Sequence, residues 1–524
     1  MLATRGTLSL GREVTVTRRL AGMFDGASAR RMHCVGVAMA GTGLVLAGLT
    51  AIGVPAAAGS APTTLYAGAS ASGSANCQSA ANACTLTTAL AVTAPGDVVA
   101  LVTAGVEGTT STYYSGGFSI ATPGTSAAFP VVIEPAPGIA NPILDGAGAN
   151  TVLSVANSML LMIDGVTIQH GRGGKGGGIA NNLGGTLTVN GSTFTANSSS
   201  ADGAAIDNGD AGTGTLTVTD STFTNNAAHF LGGAIDSGDN LGHGTVTVMD
   251  STFAGNSAEF GGAIDNGYDG SGTLTVTEST FINNAASVDG GTIDSGDRGG
   301  SGNVVAAADI FAGSCAELAG VWTDVGYSVG SDTTCQNGGT GDAHVANLAS
   351  RLGPLANNGG PTQTVGLLKG NPAAGRIPNG SGVLCPLAAD QTGRASPPGA
   401  WCNAGALQPH PAIKSVTLSG TATSTTVTVT GSGFGAKANL GHADITCGPP
   451  ATGTDYTNNN LFVSDLTNSW NAGQTCDPVG LTVTTYTNTK IVFAFQIGIH
   501  GTLQTGDQVT VGVLGATKTV TAPF

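Results

Sequence analysis

Two short motifs alternate through the middle of this chain at a nearly constant spacing. The first is Phe-x-x-Asn, whose phenylalanines follow one another at steps of 29, 30 and 28 residues: Phe194, Phe223, Phe253 and Phe281. The second is a glycine-rich tetrapeptide that ends in isoleucine, at Ile179, Ile206, Ile235, Ile264 and Ile293. A fixed period of this size indicates stacked units, each too small to bury a core of its own. Over this region the chain is therefore restricted to a solenoid.

Each repeat predicts three short strands rather than helices. In residues 232–256, a strand around Ile235 is followed by a turn, by the alternating segment Thr-Val-Thr-Val and by a third strand around Phe253. Val246 and Val248 share one face of the second strand, and the glycines would destabilise a helix. We therefore predict an all-β protein: a right-handed parallel β-helix of the pectin lyase-like type, followed by a small immunoglobulin-like β-sandwich.

The stacking of coils has direct consequences for the interior. Successive coils lie about 4.8 Å apart, so that like residues stack on like. We expect the repeat phenylalanines, with Phe311 as a fifth member, to form one interior column and the isoleucines another. The motif asparagines can pass amide hydrogen bonds from coil to coil, which satisfies polar groups at an inward bend. Ser314 replaces the asparagine of the fifth repeat, so we expect the stack to end there.

The first 60 residues have the features of a secretory leader. Arg30 and Arg31 precede an almost wholly apolar segment at 35–54, and small residues follow it at 56–61. This pattern is typical of a signal peptide, with an uncleaved membrane anchor as the alternative. The chain has a formal net charge of −15, and the leader holds six of its arginines, so the exported part is strongly acidic and a poor match for nucleic acid. We expect a secreted or cell-surface monomer that meets a membrane only through its signal or an anchor.

Cysteine usage supports export to an oxidising compartment. Eight cysteines remain beyond the leader and lie in sequence neighbours, although the sequence alone leaves their connectivity open. The expected local disulfides are Cys77–Cys84, Cys315–Cys335, Cys385–Cys402 and Cys447–Cys476. None of these cysteines forms a Cys-x-x-Cys pair that would indicate zinc.

Changes of composition along the chain predict four segments. The segments are a leader at 1–60, a β-helix at 61–314 with regular coils at 171–314, a disulfide-bonded module at 315–410 and a β-sandwich at 411–524. Within the less regular first coils of the β-helix, residues 85–93 are a candidate capping helix.

The paired glycine-isoleucine and Phe-x-x-Asn motifs of residues 171–314 resemble the repeats of chlamydial-type polymorphic outer membrane proteins and of other right-handed parallel β-helix proteins. That resemblance implies surface display and adhesion. Too few residues follow the repeats here to form the membrane barrel of an autotransporter, so the likeness is confined to the coils.

Residues 326–407 resemble the module called choice-of-anchor Q, which is found at the ends of secreted bacterial β-helices. The similar text includes Leu-Gly-Pro-Leu-Ala-Asn-Asn-Gly-Gly-Pro-Thr-Gln-Thr ending at Thr364, and Asp-Gln-Thr-Gly-Arg at 390–394. The chain departs from that module at 371–375, where Asn-Pro-Ala-Ala-Gly replaces Ser-Pro-Ala-Ile-Asp, and at Asn403, which replaces an aspartate. More distantly, Pro411 to Gly435 is similar to the opening of an IPT/TIG domain.

A column of aspartates is the main candidate for chemistry. One set follows the last four repeat isoleucines, and a second set comes three residues later in three of these coils. The candidate residues are Asp207, Asp236, Asp265, Asp294, Asp210, Asp239 and Asp297. Carboxylates about 4.8 Å apart repel by roughly 0.9 kcal/mol in water and about four times as much at an effective dielectric of ~20, which favours neutralisation by calcium. The alternative is a solvated turn, because Asp-x-Gly-Asp also forms Asx turns.

Catalytic candidates are few. Gly-His243-Gly copies a tripeptide of polygalacturonases, but the Arg-x-Lys that those enzymes need is absent from the sequence. A calcium-dependent lyase needs a base near its metal, and the only arginines and lysines of the regular coils are Arg172, Lys175 and Arg298. Of these, Arg298 is the candidate because it follows Asp297. Aromatic residues that could stack on sugar rings are Tyr268, Trp322, Trp401 and Trp470.

These patterns favour a binding protein over an enzyme. Aromatic residues make up only 5% of the chain, and the repeat phenylalanines are expected in the core, so few platforms remain for a sugar cleft. We expect an adhesin-like or structural protein whose partner is a cell-surface glycan or a protein. The alternative is a polysaccharide lyase or glycoside hydrolase, because β-helices often carry such enzymes. A base facing the aspartates inside a groove would favour the enzyme, and a flat, polar, aromatic-poor face would favour the binding protein.

Overall fold

The computed structural model describes most of the chain beyond the leader. It covers residues 61–523 except for 105–112, 157, 182–183, 318, 369, 382–383, 386–388, 395–400, 409–411, 433, 435–452, 457–460, 475–478, 488, 497–502 and 514–515. The predicted leader and the predicted Cys447–Cys476 bond lie outside the described residues. Within them, no helix is both long and apolar enough to cross a membrane.

Three long parallel sheets form the faces of a β-helix, which confirms the predicted fold class. The first, named here the threonine sheet, contains Thr64–Gly68, Cys84–Thr85, Val98–Leu101, Val131–Pro135, Leu160–Asp164, Thr186–Asn190, Thr213–Thr219, His243–Met249, Ser271–Thr277, Ser301–Ala307 and Gly320–Gly326. The second, the phenylalanine sheet, contains Tyr113–Ser115, Ile143–Asp145, Thr167–Gln169, Thr193–Thr195, Thr222–Thr224, Thr252–Ala254, Thr280–Ile282, Ile310–Ala312, Val329–Gly330 and Ala343–His344. The third, the isoleucine sheet, contains Phe118–Ile120, Leu153–Val155, Ile179–Asn181, Ile206–Asn208, Ile235–Ser237, Ile264–Asn266, Ile293–Ser295 and Cys315–Glu317.

A fourth, narrow sheet runs between the phenylalanine and isoleucine sheets in chain order. This outer strip contains Arg172–Gly173, Ser198–Ser199, Ala227–Ala228, Ser257–Phe260 and Ala285–Asp289. The repeat pattern does not predict this sheet, because its strands are short and carry no common apolar pattern. It matters for function because the chain passes from it directly into the turn above the aspartate column.

The interior columns are as predicted. The phenylalanine rings stack with centroids 4.7–4.8 Å apart from Phe194 to Phe281, and Phe311 extends the stack at 5.4 Å. The isoleucines pair in register from Ile179 to Ile293 and are fully buried. Regular stacking therefore converts the sequence period directly into a continuous core.

The predicted asparagine ladder is confirmed at the bend that follows the phenylalanine sheet. Asn197 Nδ2 donates to Asn226 Oδ1 at 3.0 Å, Asn226 to Asn256 at 2.9 Å, and Asn256 to Asn284 at 2.9 Å. Each of the three donors also bonds a backbone carbonyl, as Asn256 does to Phe223 O at 3.0 Å. The amides thus satisfy an inward turn that water does not reach.

A short helix covers the start of the stack, as predicted for residues 85–93. It spans Leu86–Ala91 and begins after Thr85, whose side-chain oxygen accepts the backbone N–H of Thr88. A 3-10 turn at Ala80–Asn82 precedes it. The disulfide Cys77–Cys84 closes this cap, so that the first apolar layer is protected from water.

The stack does not end at Ser314, so that prediction is wrong. Cys315 pairs in parallel with Ile293, and the threonine and phenylalanine sheets continue through later strands as far as Ala343–His344. Cys315 simply replaces isoleucine in the column, and its disulfide to Cys335 is confirmed. Loss of the motif asparagine ends the amide ladder, whereas backbone pairing carries the coils further.

The module beyond these strands folds back onto the outer face of the phenylalanine sheet. It contains a 3-10 turn at Leu348–Arg351, an antiparallel pair at Leu352–Ala356 and Thr364–Leu367, and the confirmed disulfide Cys385–Cys402. Gln391 is its main polar contact with the coils. The Gln391 Nε2 atom donates to Ser221 O at 3.1 Å and Thr222 Oγ1 at 2.9 Å, and Thr252 Oγ1 donates to Gln391 Oε1 at 2.6 Å.

The final segment contains two antiparallel four-stranded sheets, as expected for a small β-sandwich. One contains Ala412–Thr421, Ser424–Ser432, Thr482–Thr487 and Lys490–Gln496, and the other contains Leu461–Asp465, Trp470–Ala472, Gln508–Val513 and Ala516–Thr521. Val427, Phe493 and Val511 belong to a single buried apolar cluster drawn from both sheets. The alternation predicted from the sequence is therefore confirmed.

Candidate functional site: a buried column of aspartates

The four aspartates that follow the repeat isoleucines lie in one vertical column on the isoleucine sheet. Asp207, Asp236, Asp265 and Asp294 pair in register on neighbouring strands. Each is at most 1% exposed. The alternative of a solvated turn is therefore wrong for these four residues. Their side chains cannot rely on water to screen their mutual repulsion.

A glycine turn covers the column in every regular coil. Gly203 has a φ of +56°, and a Cβ atom there would lie 2.4 Å from the carbonyl oxygen of Ile206 and 2.8 Å from the Cα of Asp207. Gly232 makes the same close approach to Ile235. Only glycine allows the chain to turn this tightly over the strand. The repeat glycines thus bury the carboxylates that follow them.

Lys175 is the cation of this site. Its Nζ atom lies 2.9 Å from Asp202 Oδ2, 2.9 Å from Asp210 Oδ1 and 3.3 Å from Asp239 Oδ2. Burial lowers the pKa of Lys175, but the carboxylates of Asp202, Asp210 and Asp239 raise it by more, so the net shift is upward. Lys175 therefore stays protonated and serves as a counter-ion.

Asp202 also belongs to the site, although it lies outside the two predicted sets of aspartates. Lys175 and Asp202 each precede the glycine turn of their own coil, and Gly176 N bonds to Asp202 O at 3.1 Å. The two residues are therefore stacked neighbours at one repeat position. An alignment of the repeats on their glycines would have placed them together, since Leu231 and Phe260 occupy the same position in the next coils.

One lysine does not neutralise the column. Both carboxylate oxygens of Asp207 and of Asp236 are buried without a hydrogen-bond partner among the described residues, and so are one oxygen each of Asp202 and Asp265. Burial, and then the neighbouring carboxylates, raise the pKa of Asp236 well above its ordinary range, and burial does the same for Asp207 and Asp265. These carboxyls must be protonated or balanced by a cation.

The second set of aspartates lies nearer the surface. Asp239 is 5% exposed, and burial raises its pKa to about 7. Asp210 accepts Asn240 Nδ2 in addition to the lysine. Asp297 is only half-buried and accepts the backbone N–H of Arg298 at 2.6 Å. The second set is therefore the edge of the column that solvent reaches.

The two catalytic candidates lie elsewhere. Arg298 is exposed, forms no ion pair with a described residue, and places its Cζ atom 5.6 Å from the centroid of the Tyr268 ring. His243 is exposed at the start of its strand, pairs with Thr213 and Ser271, and bonds the Ser271 hydroxyl. The base that contacts the aspartates is Lys175, and a catalytic role for Arg298 stays a prediction.

Most of the aromatic candidates are packed rather than available. Tyr268, Trp322 and Trp470 are 3%, 5% and 9% exposed, whereas Trp401 is 50% exposed. Tyr268 lies against Phe230 at a centroid distance of 5.0 Å. Among the described residues these four therefore offer one exposed ring, which does not make a sugar-stacking platform.

The outer face of the threonine sheet is a flat array of hydroxyls. Two columns run across four coils in register: Thr186, Thr215, Thr245 and Thr273, and Thr188, Thr217, Thr247 and Thr275. Between them the inward residues, such as Leu216 and Val218, are buried. None of the eight threonine hydroxyls bonds to another described side chain or carbonyl, and all eight residues are exposed or half-buried.

The fold and these features define a parallel β-helix protein with a buried carboxylate column and a threonine face. A solved pectate lyase, Pel9A, is similar at 14% identity and a TM-score of 0.33, with 66% of this chain and 96% of that chain covered. A GH136 lacto-N-biosidase from Eubacterium ramulus is similar at 12% identity and a TM-score of 0.20, with 54% and 67% covered. Neither family models nor curated proteins give a match.

Proposed function

We propose that this chain is an extracellular or cell-surface protein that binds a glycan or protein ligand through its threonine face and does not cleave it. The observation that carries the proposal is the register of the eight threonines. The three disulfides fit an oxidising compartment. The coils would act as a rigid, adhesin-like scaffold that displays the face.

The threonine face suits binding for physical reasons. Parallel pairing on both sides fixes the backbone of each strand, and a β-branched side chain has little χ1 freedom to lose. Ligand binding therefore costs little ordering entropy. The hydroxyls repeat about 4.8 Å apart between strands and roughly 6.7 Å apart along them. The two columns carry no charge, which favours a neutral partner rich in hydroxyl groups, such as a glycan.

A lyase or hydrolase is the second candidate, because a base does face the aspartates. The pKa of Lys175 and the burial of the aspartates do not favour an enzyme. A catalytic base works best with a pKa near the operating pH, whereas the carboxylates around Lys175 raise its pKa. The column carboxylates Asp207 and Asp236 are fully buried, so a sugar chain cannot reach them without opening the glycine turn.

The first experiment is a depolymerisation and binding assay on a panel of neutral and acidic polysaccharides, with calcium and with chelator. Reducing ends report hydrolysis, unsaturated-uronate absorbance reports elimination, and co-sedimentation reports binding. Binding without cleavage supports the proposal. Cleavage that is lost in both Lys175→Gln and Asp236→Asn would replace it with an enzyme whose site is the aspartate column.

The contact face is tested separately. The double variant Thr217→Arg and Thr247→Arg places two bulky charges at the centre of the array. We expect it to lose binding at least tenfold while it retains the wild-type melting temperature. Thr517→Arg, at an exposed threonine of the last strand, is the matched control and should bind normally. Equal binding by both variants would exclude the threonine face as the contact surface.

A further inference from the structure

We propose that Asp202, Asp236 and Asp239 bind one calcium ion that joins two neighbouring coils. This site is independent of the threonine face and of the binding function proposed above. Asp202 comes from the glycine turn of one coil, whereas Asp236 and Asp239 come from the next. A shared ion would therefore link the two coils at a point where they otherwise repel each other.

The distances fit calcium. One carboxylate oxygen from each of the three aspartates lies within 4.8 Å of the others. Calcium binds oxygen at about 2.3–2.6 Å, so two ligands on opposite sides of the ion are separated by roughly 4.6–5.2 Å. The separation of the three oxygens lies within the span that one calcium ion bridges, so they can share an ion.

The unpartnered oxygens favour binding of a cation. Asp236 is 0% exposed, and neither of its carboxylate oxygens has a hydrogen-bond partner among the described residues. Asp202 Oδ1 is also buried without a hydrogen-bond partner among the described residues. A buried carboxylate without a partner is costly, and a cation removes that cost. Asp207 and Asp265 flank Asp236 in the column and also carry unpartnered oxygens, which adds to the negative charge around the site.

Lys175 competes for this site and also marks its entrance. Its ammonium bonds Asp202 Oδ2 and Asp239 Oδ2, and leaves Asp202 Oδ1 and both oxygens of Asp236 free. One positive charge stands against the carboxylates of Asp202, Asp210, Asp236 and Asp239. The lysine side chain is 24% exposed and that of Asp210 is 17% exposed, so an ion can enter from this side.

Isothermal titration of the chelator-treated protein with calcium chloride tests the proposal. We expect saturable binding, a loss of at least tenfold in affinity for Asp236→Asn, and no change for Glu317→Gln. Glu317 is an exposed carboxylate on the next strand of the same sheet as Asp294, so it controls for the loss of one negative charge. Removal of the competing ammonium in Lys175→Gln should raise the affinity at least threefold.

The outcomes distinguish a specific calcium site from non-specific attraction of calcium to an acidic protein. The proposal would be overturned if titration of the wild-type protein gave no saturable heat of calcium binding. It would also be overturned if Asp236→Asn bound calcium with unchanged affinity. If Asp236→Asn does not fold, Asp202→Asn replaces it, because Asp202 lies on the turn rather than in a strand. If calcium raises the melting temperature of the wild type but not that of Asp202→Asn, the result supports the site. An equal rise in the wild type and in Asp202→Asn would contradict it. Calcium binding and loss of glycan binding are measured independently, so either proposal can fail alone.

Discussion

Lys175 and Asp239 are 64 residues apart in the sequence, yet the Nζ and Oδ2 atoms of this pair lie 3.3 Å apart. The contact spans two coils of the β-helix, and Asp202 and Asp210 complete the surroundings of the same ammonium. A single lysine thus holds together the acidic edge of three consecutive repeats. It does so in a region whose carboxylates would otherwise push the coils apart.

Lys175→Gln should therefore destabilise the metal-free protein. We expect the free energy of unfolding to fall by about 2–3 kcal/mol, less than the ~3–5 kcal/mol for breaking a fully buried pair, because a quarter of the lysine side chain is exposed. Urea unfolding in chelator measures the loss. Arg172→Gln removes an exposed cation from the same coil and should change little. Equal effects of the two substitutions would show that only net charge matters.

Asn256→Ala should break the amide ladder at its centre. The side chain accepts from Asn226 and donates to Asn284 and to the Phe223 carbonyl. Each buried group left unpaired costs about 1–3 kcal/mol, so we expect a loss of about 3–5 kcal/mol by urea unfolding. Asn303→Ala, at an exposed asparagine of the threonine sheet, should stay within about 0.5 kcal/mol of wild type. A similarly small change at Asn256 would contradict a structural role for the ladder.

Asp220 should make stability depend on pH. Burial, and then the charges of Asp390 and Asp164, raise its pKa to about 7, against about 3.9 in the unfolded chain. The folded state therefore binds the proton more tightly. The contribution of Asp220 to stability is complete below about pH 4 and is lost as the pH rises through 7, by at most about 1.4 kcal/mol per pH unit.

Urea unfolding between pH 4 and pH 8 in chelator measures this dependence. Asp220→Asn should flatten the decline of unfolding free energy with rising pH. Asn303→Ala, which removes no titratable group, should leave the slope of the wild type unchanged. An unaltered slope in Asp220→Asn would show that this carboxyl does not retain its proton in the folded protein.

Gln391→Ala should loosen the module from the coils. The side chain bonds Ser221, Thr222 and Thr252 of the β-helix and Thr362 of its own module. We expect a loss of about 2–4 kcal/mol and faster amide hydrogen exchange confined to residues near the contact. Gln78→Ala, at an exposed glutamine of the first cap, serves as the control. Unchanged exchange in Gln391→Ala would mean that apolar contacts alone hold the module.

The sequence predicted the parts of this fold that depend on stacking. Phe253 and Ile235 recur at a fixed period, and the parallel register of a β-helix places each on its counterpart in the next coil. Asn256 follows the same rule. The local disulfides Cys77–Cys84, Cys315–Cys335 and Cys385–Cys402 were also foreseeable, because short loops keep each pair close.

The candidate site was foreseeable only in part. The period placed Asp207 and Asp236 in one column, but it predicted neither their burial nor the role of Asp202. Arg298 is adjacent in sequence to Asp297, whereas the cation that contacts the aspartates is Lys175. Sequence proximity misleads here because residues one repeat apart are closer in space than their positions in the chain suggest.

The sequence by itself determined the strand pattern, the coil period and the interior columns, since these follow from local alternation and from a repeat that brings like residues together. Only the tertiary structure decided which polar side chains are exposed to water and which are buried. The Gly203 turn folds over Asp207, and the module folds over the outer face of Thr222 and Thr252. Burial depends on segments that are distant in sequence or that bend back on themselves. Burial in turn fixes which carboxylates keep a proton, pair with Lys175 or require a cation.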